Sequence, residues 1–146
     1  MPADRSSIGD EDPAVALRQK VRNGDLTNVK NMVKAGADYA APGQTVRKWT
    51  ALHIACWGSA RPQFDREIAE VILGAAKKDG KWKQVVGAKD ALDGQAPLDL
   101  VKEQRKKKFD PSEGGAVPAE GTPEEEEKRK FDKIIEWLEK GLPSAG

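Results

Sequence analysis

Apolar positions along the chain recur at helical spacing and are interrupted by glycine. Val15, Leu17 and Val21 mark one side of a first helix that Pro13 opens, with Asp12 before it as N-cap. Proline at the first helical position loses no hydrogen bond that the helix would otherwise make. Asn23-Gly24 ends that helix. Leu26, Val29, Met32 and Val33 then recur at i, i+3, i+6 and i+7 up to Gly36, an amphipathic stripe that predicts a second helix and, with the first, a helical hairpin.

The pattern returns twice. Thr50 caps a short helix carrying Leu52, Ile54 and Ala55; a Gly/Pro-rich loop from Gly58 to Asp65 then leads into Ile68, Val71, Ile72 and Leu73. Asp93-Gly94 reads as a turn, and Pro97, Leu98, Leu100 and Val101 begin a third first helix. Its partner is displaced along the chain. Arg105 to Lys108 and a Gly/Pro/Glu stretch from Asp110 to Gly121 intervene before Thr122-Pro123 restarts a helix. Four glutamates favour the positive end of its dipole, and Phe131, Ile134, Ile135 and Leu138 mark its apolar face up to Gly141. Glu124–Lys128 and Glu126–Lys130 are i,i+4 pairs of the order that supports an exposed helix.

These residues resemble the ankyrin repeat family, whose unit of about 33 residues runs roughly T-P-L-H-x-A-A, N-G-H, then V-x-x-L-L-x-x-G-A-D. Asn23-Gly24-Asp25-Leu26 through Gly36-Ala37-Asp38 matches the second half of a unit, and Thr50-Ala51-Leu52-His53-Ile54-Ala55 the first half of the next. Asp93-Gly94-Gln95-Ala96-Pro97-Leu98 opens a third, which Ile134 to Gly141 would complete. The likeness covers about residues 13–105 and 123–141.

The resemblance implies an all-α, ankyrin-repeat helical solenoid of about three helix-turn-helix units with hairpin-like tips. A flexible segment, 1–12, is followed by unit 1 (13–41), unit 2 with insertions (42–88), unit 3 (89–141) split by a flexible acidic loop at about 109–122, and a tail, 142–146. Short helix pairs cannot bury their own apolar faces, so such units share one continuous interior, into which Leu52 and Leu98 are expected to face. The likeness also implies a hydrogen bond between Thr50 and His53. Gly94 and Pro97 complete the structural motif.

Departures from the family pattern mark where specificity is expected. Lys48-Trp49 precedes Thr50 where the family places glycine; extra residues lie between Ser59 and Asp65; and a lysine-rich insertion around Trp82 replaces Gly-Ala-Asp. Insertions of this kind carry binding groups more often than packed helices do. In ankyrin-like modules the partner lies against the tips and the outward positions of the first helices. That surface would comprise Arg22 and Asn23 on the first unit, Val46, Arg47 and Trp49 at one tip, Trp57, then Leu92 and Gln95 at the next tip, and Glu103 and Gln104. Trp49 and Trp57 are read as outward-facing anchors, because an exposed tryptophan brings contact area with few rotatable bonds. Packing against the neighbouring insertions is the alternative for both. Trp137, on an amphipathic helix, is read as core; Trp82, flanked by lysines, is left open.

Composition narrows the chemistry. The chain has 146 residues, 25 Lys+Arg against 24 Asp+Glu, a formal net charge of +1 and 38% apolar residues, with a mean hydropathy of −0.69. One cysteine, Cys56, rules out an internal disulfide, and one histidine, His53, rules out a paired-histidine metal site. His53 is read as structural and Cys56 as small, packed and unreactive. Asp90, Asp93 and Asp99 are spaced as a turn, a helix start and a helix side chain rather than as a metal loop. No phosphate loop or nucleophile elbow occurs, so an enzyme is not expected, nor a cofactor or metal.

The expected role is therefore non-catalytic recognition of another protein by a chain that is itself monomeric. Nucleic-acid or anionic-surface binding is the alternative. From Lys77 to Lys108 there are 10 Lys+Arg and 5 Asp+Glu, with Trp82 available for stacking. Against it, residues 110–127 hold 7 acidic and no basic residues. No apolar run approaches the ~18 residues that span a bilayer and no secretory signal is seen, so a cytoplasmic location is expected. Arg105 to Lys108 resembles a minimal nuclear-import signal and makes the nucleus the alternative.

Overall fold

A computed structural model of the chain describes residues 13–43 and 47–142. The expected flexible segment 1–12, with its Asp12 cap, and the site residue Val46 therefore lie outside the described residues. Most described residues are helical, and none is in a strand. The helices are α1 (Pro13–Asn23), α2 (Leu26–Lys34), α3 (Ala51–Trp57), α4 (Asp65–Asp79), α5 (Trp82–Val86), α6 (Pro97–Phe109) and α7 (Pro123–Lys140).

Local chemistry places the ends of these helices. Asp25 caps α2 by accepting the Asn28 N–H at 3.2 Å, and Thr122 caps α7 by accepting the Glu125 N–H at 3.3 Å. Thr50 accepts the His53 N–H while the His53 ring accepts the Thr50 N–H, so two orphan donors are satisfied reciprocally at the start of α3. At α6 the Asp99 carboxylate accepts the Ala96 N–H at 3.0 Å.

Six of these helices form three pairs in two layers, and α5 packs on α4. α1 packs on α3 and α3 on α6; α2 packs on α4 and α4 on α7; within each pair α1 meets α2, α3 meets α4 and α6 meets α7. The interior they share is filled by Leu17, Val21, Val29, Leu52, Ile68, Ile72, Leu73, Leu100, Val101 and Ile134, all essentially without exposure. Burying one such side chain contributes about 1.5–3 kcal/mol. Leu52 faces this interior as expected, whereas Leu98 is half-buried at its margin and Leu100 and Val101 take the inner positions of α6. Proline at the first position of α6 sets the phase, and the inward face falls three residues later.

The insertions are less loose than their composition suggests. α4 runs past Leu73 to Asp79, and the lysine-rich segment adds α5, whose Val85 is buried and whose Trp82 is half-buried against the core. The segment from Ser59 to Asp65 returns over the first turn, where the Ala60 N–H donates to the Arg22 carbonyl at 2.9 Å. Gly24, at φ +72°, is needed there twice over. A Cβ on it would sit 2.6 Å from Arg61 Cβ. α6 extends to Phe109, which meets Phe131 edge-on at 6.0 Å between ring centroids, so the stretch that separates α6 from α7 begins at Asp110. Its Ala116 N–H returns to the Lys108 carbonyl at 3.0 Å.

Candidate functional site

The connectors that join one helix pair to the next meet at one edge of the stack. Residues 90–95 form a tight tip around the Asp90 carboxylate, whose Oδ1 accepts the N–H groups of Leu92 (3.1 Å), Asp93 (2.6 Å) and Gly94 (3.0 Å). Gly94 supplies the left-handed turn at φ +67°. The previous connector docks on this tip. Ala91 N–H donates to the Arg47 carbonyl at 2.8 Å, and the Arg47 guanidinium reaches Asp93 at 2.8 Å.

Trp49 is the hinge of the arrangement. Its indole N–H donates to Asp90 Oδ2 at 3.2 Å, its ring stacks on His53 with 8° between planes, and Arg47 lies over it at 5.5 Å. It is half-buried, so the reading of it as a freely outward ring is corrected: the Asp90 carboxylate, which has no exposed side-chain surface, draws the indole inward. Trp57 is the exposed member of the pair, at 37%, with its ring 5.6 Å from that of Trp49 and Lys107 5.6 Å above it.

His53 joins the two tips from below. Its Nε2 lies 3.0 Å from the Gln95 carbonyl, which can only accept, so the proton sits on Nε2 and Nδ1 is left to accept from Thr50. Burial lowers its pKa below the usual imidazole value, against the opposing pull of the Gln95 carbonyl. Burial works to raise the Asp90 carboxyl, but the Asp93 N–H and the Trp49 indole outweigh it and hold Asp90 below the usual carboxylate range.

The third pair contributes the far side. Glu103 binds Lys107 at 2.9 Å and accepts from Gln95 Nε2 at 3.1 Å, and these two contacts, the lysine first, lower its pKa. Gln104 Nε2 donates to the Trp57 carbonyl at 3.1 Å. Arg47, Trp49, Trp57, Gln95, Glu103 and Gln104 are thus one connected surface, with Leu92 exposed at its rim. Arg22 borders it across a small cavity, while Asn23 is exposed at the end of α1 beside the turn that receives Ala60, outside the cluster.

Two members of this surface escaped the reading of the sequence. Asp90 was placed in a turn but not on an indole, and Lys107 was one of four consecutive basic residues. The Asp-x-x-x-Gly spacing from Asp90 to Gly94 was the available signal for the first; only the fold places the second. The basic region from Lys77 to Lys108 is largely self-neutralised in its second half. Lys102 meets Glu139 and Lys108 meets Glu127 at 2.9 and 2.8 Å, and Arg105 meets Asp132.

Elsewhere the chemistry is packed away. Cys56 is buried, and burial drives its thiol far above the usual range. Trp137 is in the core at 5% exposure. Among the described residues no group of His, Cys, Asp or Glu is placed to hold a metal ion, and no helix is long and apolar enough to cross a membrane. Compared with protein-family models the chain matches none, and among the curated proteins it has no match either.

Proposed function

We propose that this chain is an ankyrin-like protein-recognition module that works without catalysis or cofactor. Its partner would lie along the surface running from Arg47 and Trp49 through Trp57 to Glu103 and Gln104. The observation that carries this reading is the exposed Trp57 ring, held between Trp49 and Lys107 and linked through its carbonyl to Gln104 of the next pair. A large ring fixed in place before binding loses little freedom on contact, which is how a few side chains come to dominate an interface.

Pairing within the basic region favours a protein over a nucleic acid. Phosphates approaching α6 would have to displace Glu139, Asp132, Glu103 and Glu127 from Lys102, Arg105, Lys107 and Lys108. A cytoplasmic or nuclear setting and a monomeric chain complete the proposal.

Its test is affinity capture on the immobilised chain, identification of what is held, and titration of the purified partner against wild type and Trp57→Ala. Trp57→Ala should weaken binding by at least about tenfold. Equal affinity for the two proteins would overturn the reading, as would capture of nucleic acid alone that disappears between 50 and 200 mM salt.

A further inference from the structure

A cavity of about 210 Å³ opens on the α1 side of Trp49, between α1 and the first connector. Among the described residues its walls are Val15, Arg18, Gln19, Arg22, Gly43, Arg47 and Trp49, so three arginines line it and none of these wall residues is a carboxylate. Arg18 is the unusual member. It is 7% exposed, and its one hydrogen bond among the described residues is from Nη1 to the Ala41 carbonyl at 3.1 Å, with no acidic partner there. A charge removed from water without a counter-ion costs several kcal/mol, and proteins retain such groups where something else brings the opposite charge.

A Cβ at Gly43 would stand 3.4 Å from Arg18 Nε and 3.1 Å from the Trp49 carbonyl, so the glycine lets the connector lie close beside the guanidinium without a side chain against it. Arg22 is exposed and has no acceptor among the described residues. Arg47 is engaged by Asp93 at one nitrogen while its side chain remains 43% exposed. Of the remaining walls, Gln19 is polar, and Val15 and Trp49 supply apolar surface.

We propose that this cavity is a carboxylate-binding subsite which receives an aspartate or glutamate side chain of the protein partner. Planar guanidinium groups pair with a carboxylate through parallel N–H donors, and the apolar walls accept the short aliphatic stem that carries it. The assignment rests on the protein-recognition reading only in supplying the carboxylate from a protein.

The test uses the full-length chain labelled with ¹⁵N and a defined probe, N-acetylglutamate N-methylamide, with the N-acetylglutamine analogue as its neutral counterpart. The acid should cause saturable shifts at the Trp49 indole and at arginine Nε signals, and the amide should not. Arg22→Gln should weaken the acid by about tenfold, the loss of one charged hydrogen bond. Arg18→Met should also lose the probe and yet melt no lower than wild type, since it removes a buried charge that has no acidic partner among the described residues.

Equal shifts from the acid, the amide and matched sodium chloride would overturn the subsite. So would unchanged affinity in Arg22→Gln, which stays decisive whatever Arg18→Met does to folding. Inorganic phosphate binding tenfold more tightly than the acid would overturn the carboxylate assignment. Failure of this titration leaves the Trp57-dependent partner binding intact, so the two proposals fail separately.

Discussion

The buried carboxylate of Asp90 accepts the indole N–H of Trp49, and with the Ala91–Arg47 and Arg47–Asp93 contacts this bond ties the second connector to the first. Asp90 Oδ1 holds three amides of its own tip, so one side chain both shapes the turn and fixes the ring beside it. The surface around Trp49 is therefore set by a group that a partner would never touch.

Asp90→Ala leaves those amides and the indole without their acceptor and should destabilise the chain by about 3 kcal/mol. Asp90→Asn keeps an oxygen for the tip but can turn an N–H towards the indole, and should cost about 1 kcal/mol. Urea unfolding measures both losses. Near-ultraviolet circular dichroism should show the altered Trp49 environment, and wild-type midpoints for both variants would remove Asp90 from this role.

The two tryptophans should separate when each is truncated. Trp57→Ala removes an exposed ring and should change stability by no more than about 0.5 kcal/mol, while weakening the partner by about 2 kcal/mol. Trp49→Ala deletes half-buried contacts with His53 and Trp57 and should cost about 2 kcal/mol of stability as well. Identical melting of the two variants would contradict the geometry.

Acid should loosen the fold in a window set by His53. Its folded pKa is depressed, so the unfolded chain binds the proton more readily. The stabilisation is complete above the unfolded value of about 6.5 and is lost as pH falls from there through the folded value. The melting temperature should fall between about pH 7.5 and about pH 5, and His53→Gln should flatten that part of the profile. Asp90, the carboxylate nearest the ring's electrostatics, titrates below this window because its own pKa is lowered.

At the other edge of the stack Lys130 and Asp65 form an ion pair at 3.2 Å, with 8% and 1% side-chain exposure. The lysine also reaches the Pro62 carbonyl and lies over Phe131, and Asp65 accepts from Ser59. Burial raises the Asp65 pKa, and Lys130 opposes that rise. Lys130→Met or Asp65→Ala alone should cost about 3–5 kcal/mol, because each strands a buried charge, and the double variant should cost much less than the two losses added. Simple additivity in chemical denaturation would show that the pair is uncoupled.

Much of this architecture was legible in residue order. Periodicity located the helices other than α5, and the caps at Thr50 and Thr122 followed from residue type, because both are local effects of side chain on adjacent backbone. What sequence could not supply was contact between distant segments. Nothing in the residue order singles out Arg18, yet the first connector, through the Ala41 carbonyl, holds its buried guanidinium. Trp49 reads as an exposed ring until Asp90, forty-one residues later, is brought beneath it. The Ser59–Asp65 insertion looks like a free loop by composition, and only the approach of Gly24 and Lys130 gives it a place.

That insertion has a consequence for how the chain comes apart. In an array where each pair leans only on the next, an end can fray while the rest survives. Here the 59–65 strap bonds to Arg22 on the first pair and, through Pro62 and Asp65, to Lys130 on the last. Peeling α7 away would uncover the Asp65 carboxylate and remove the strap's anchor on the last pair, so the three pairs should melt together, and circular dichroism and tryptophan fluorescence should report one urea midpoint.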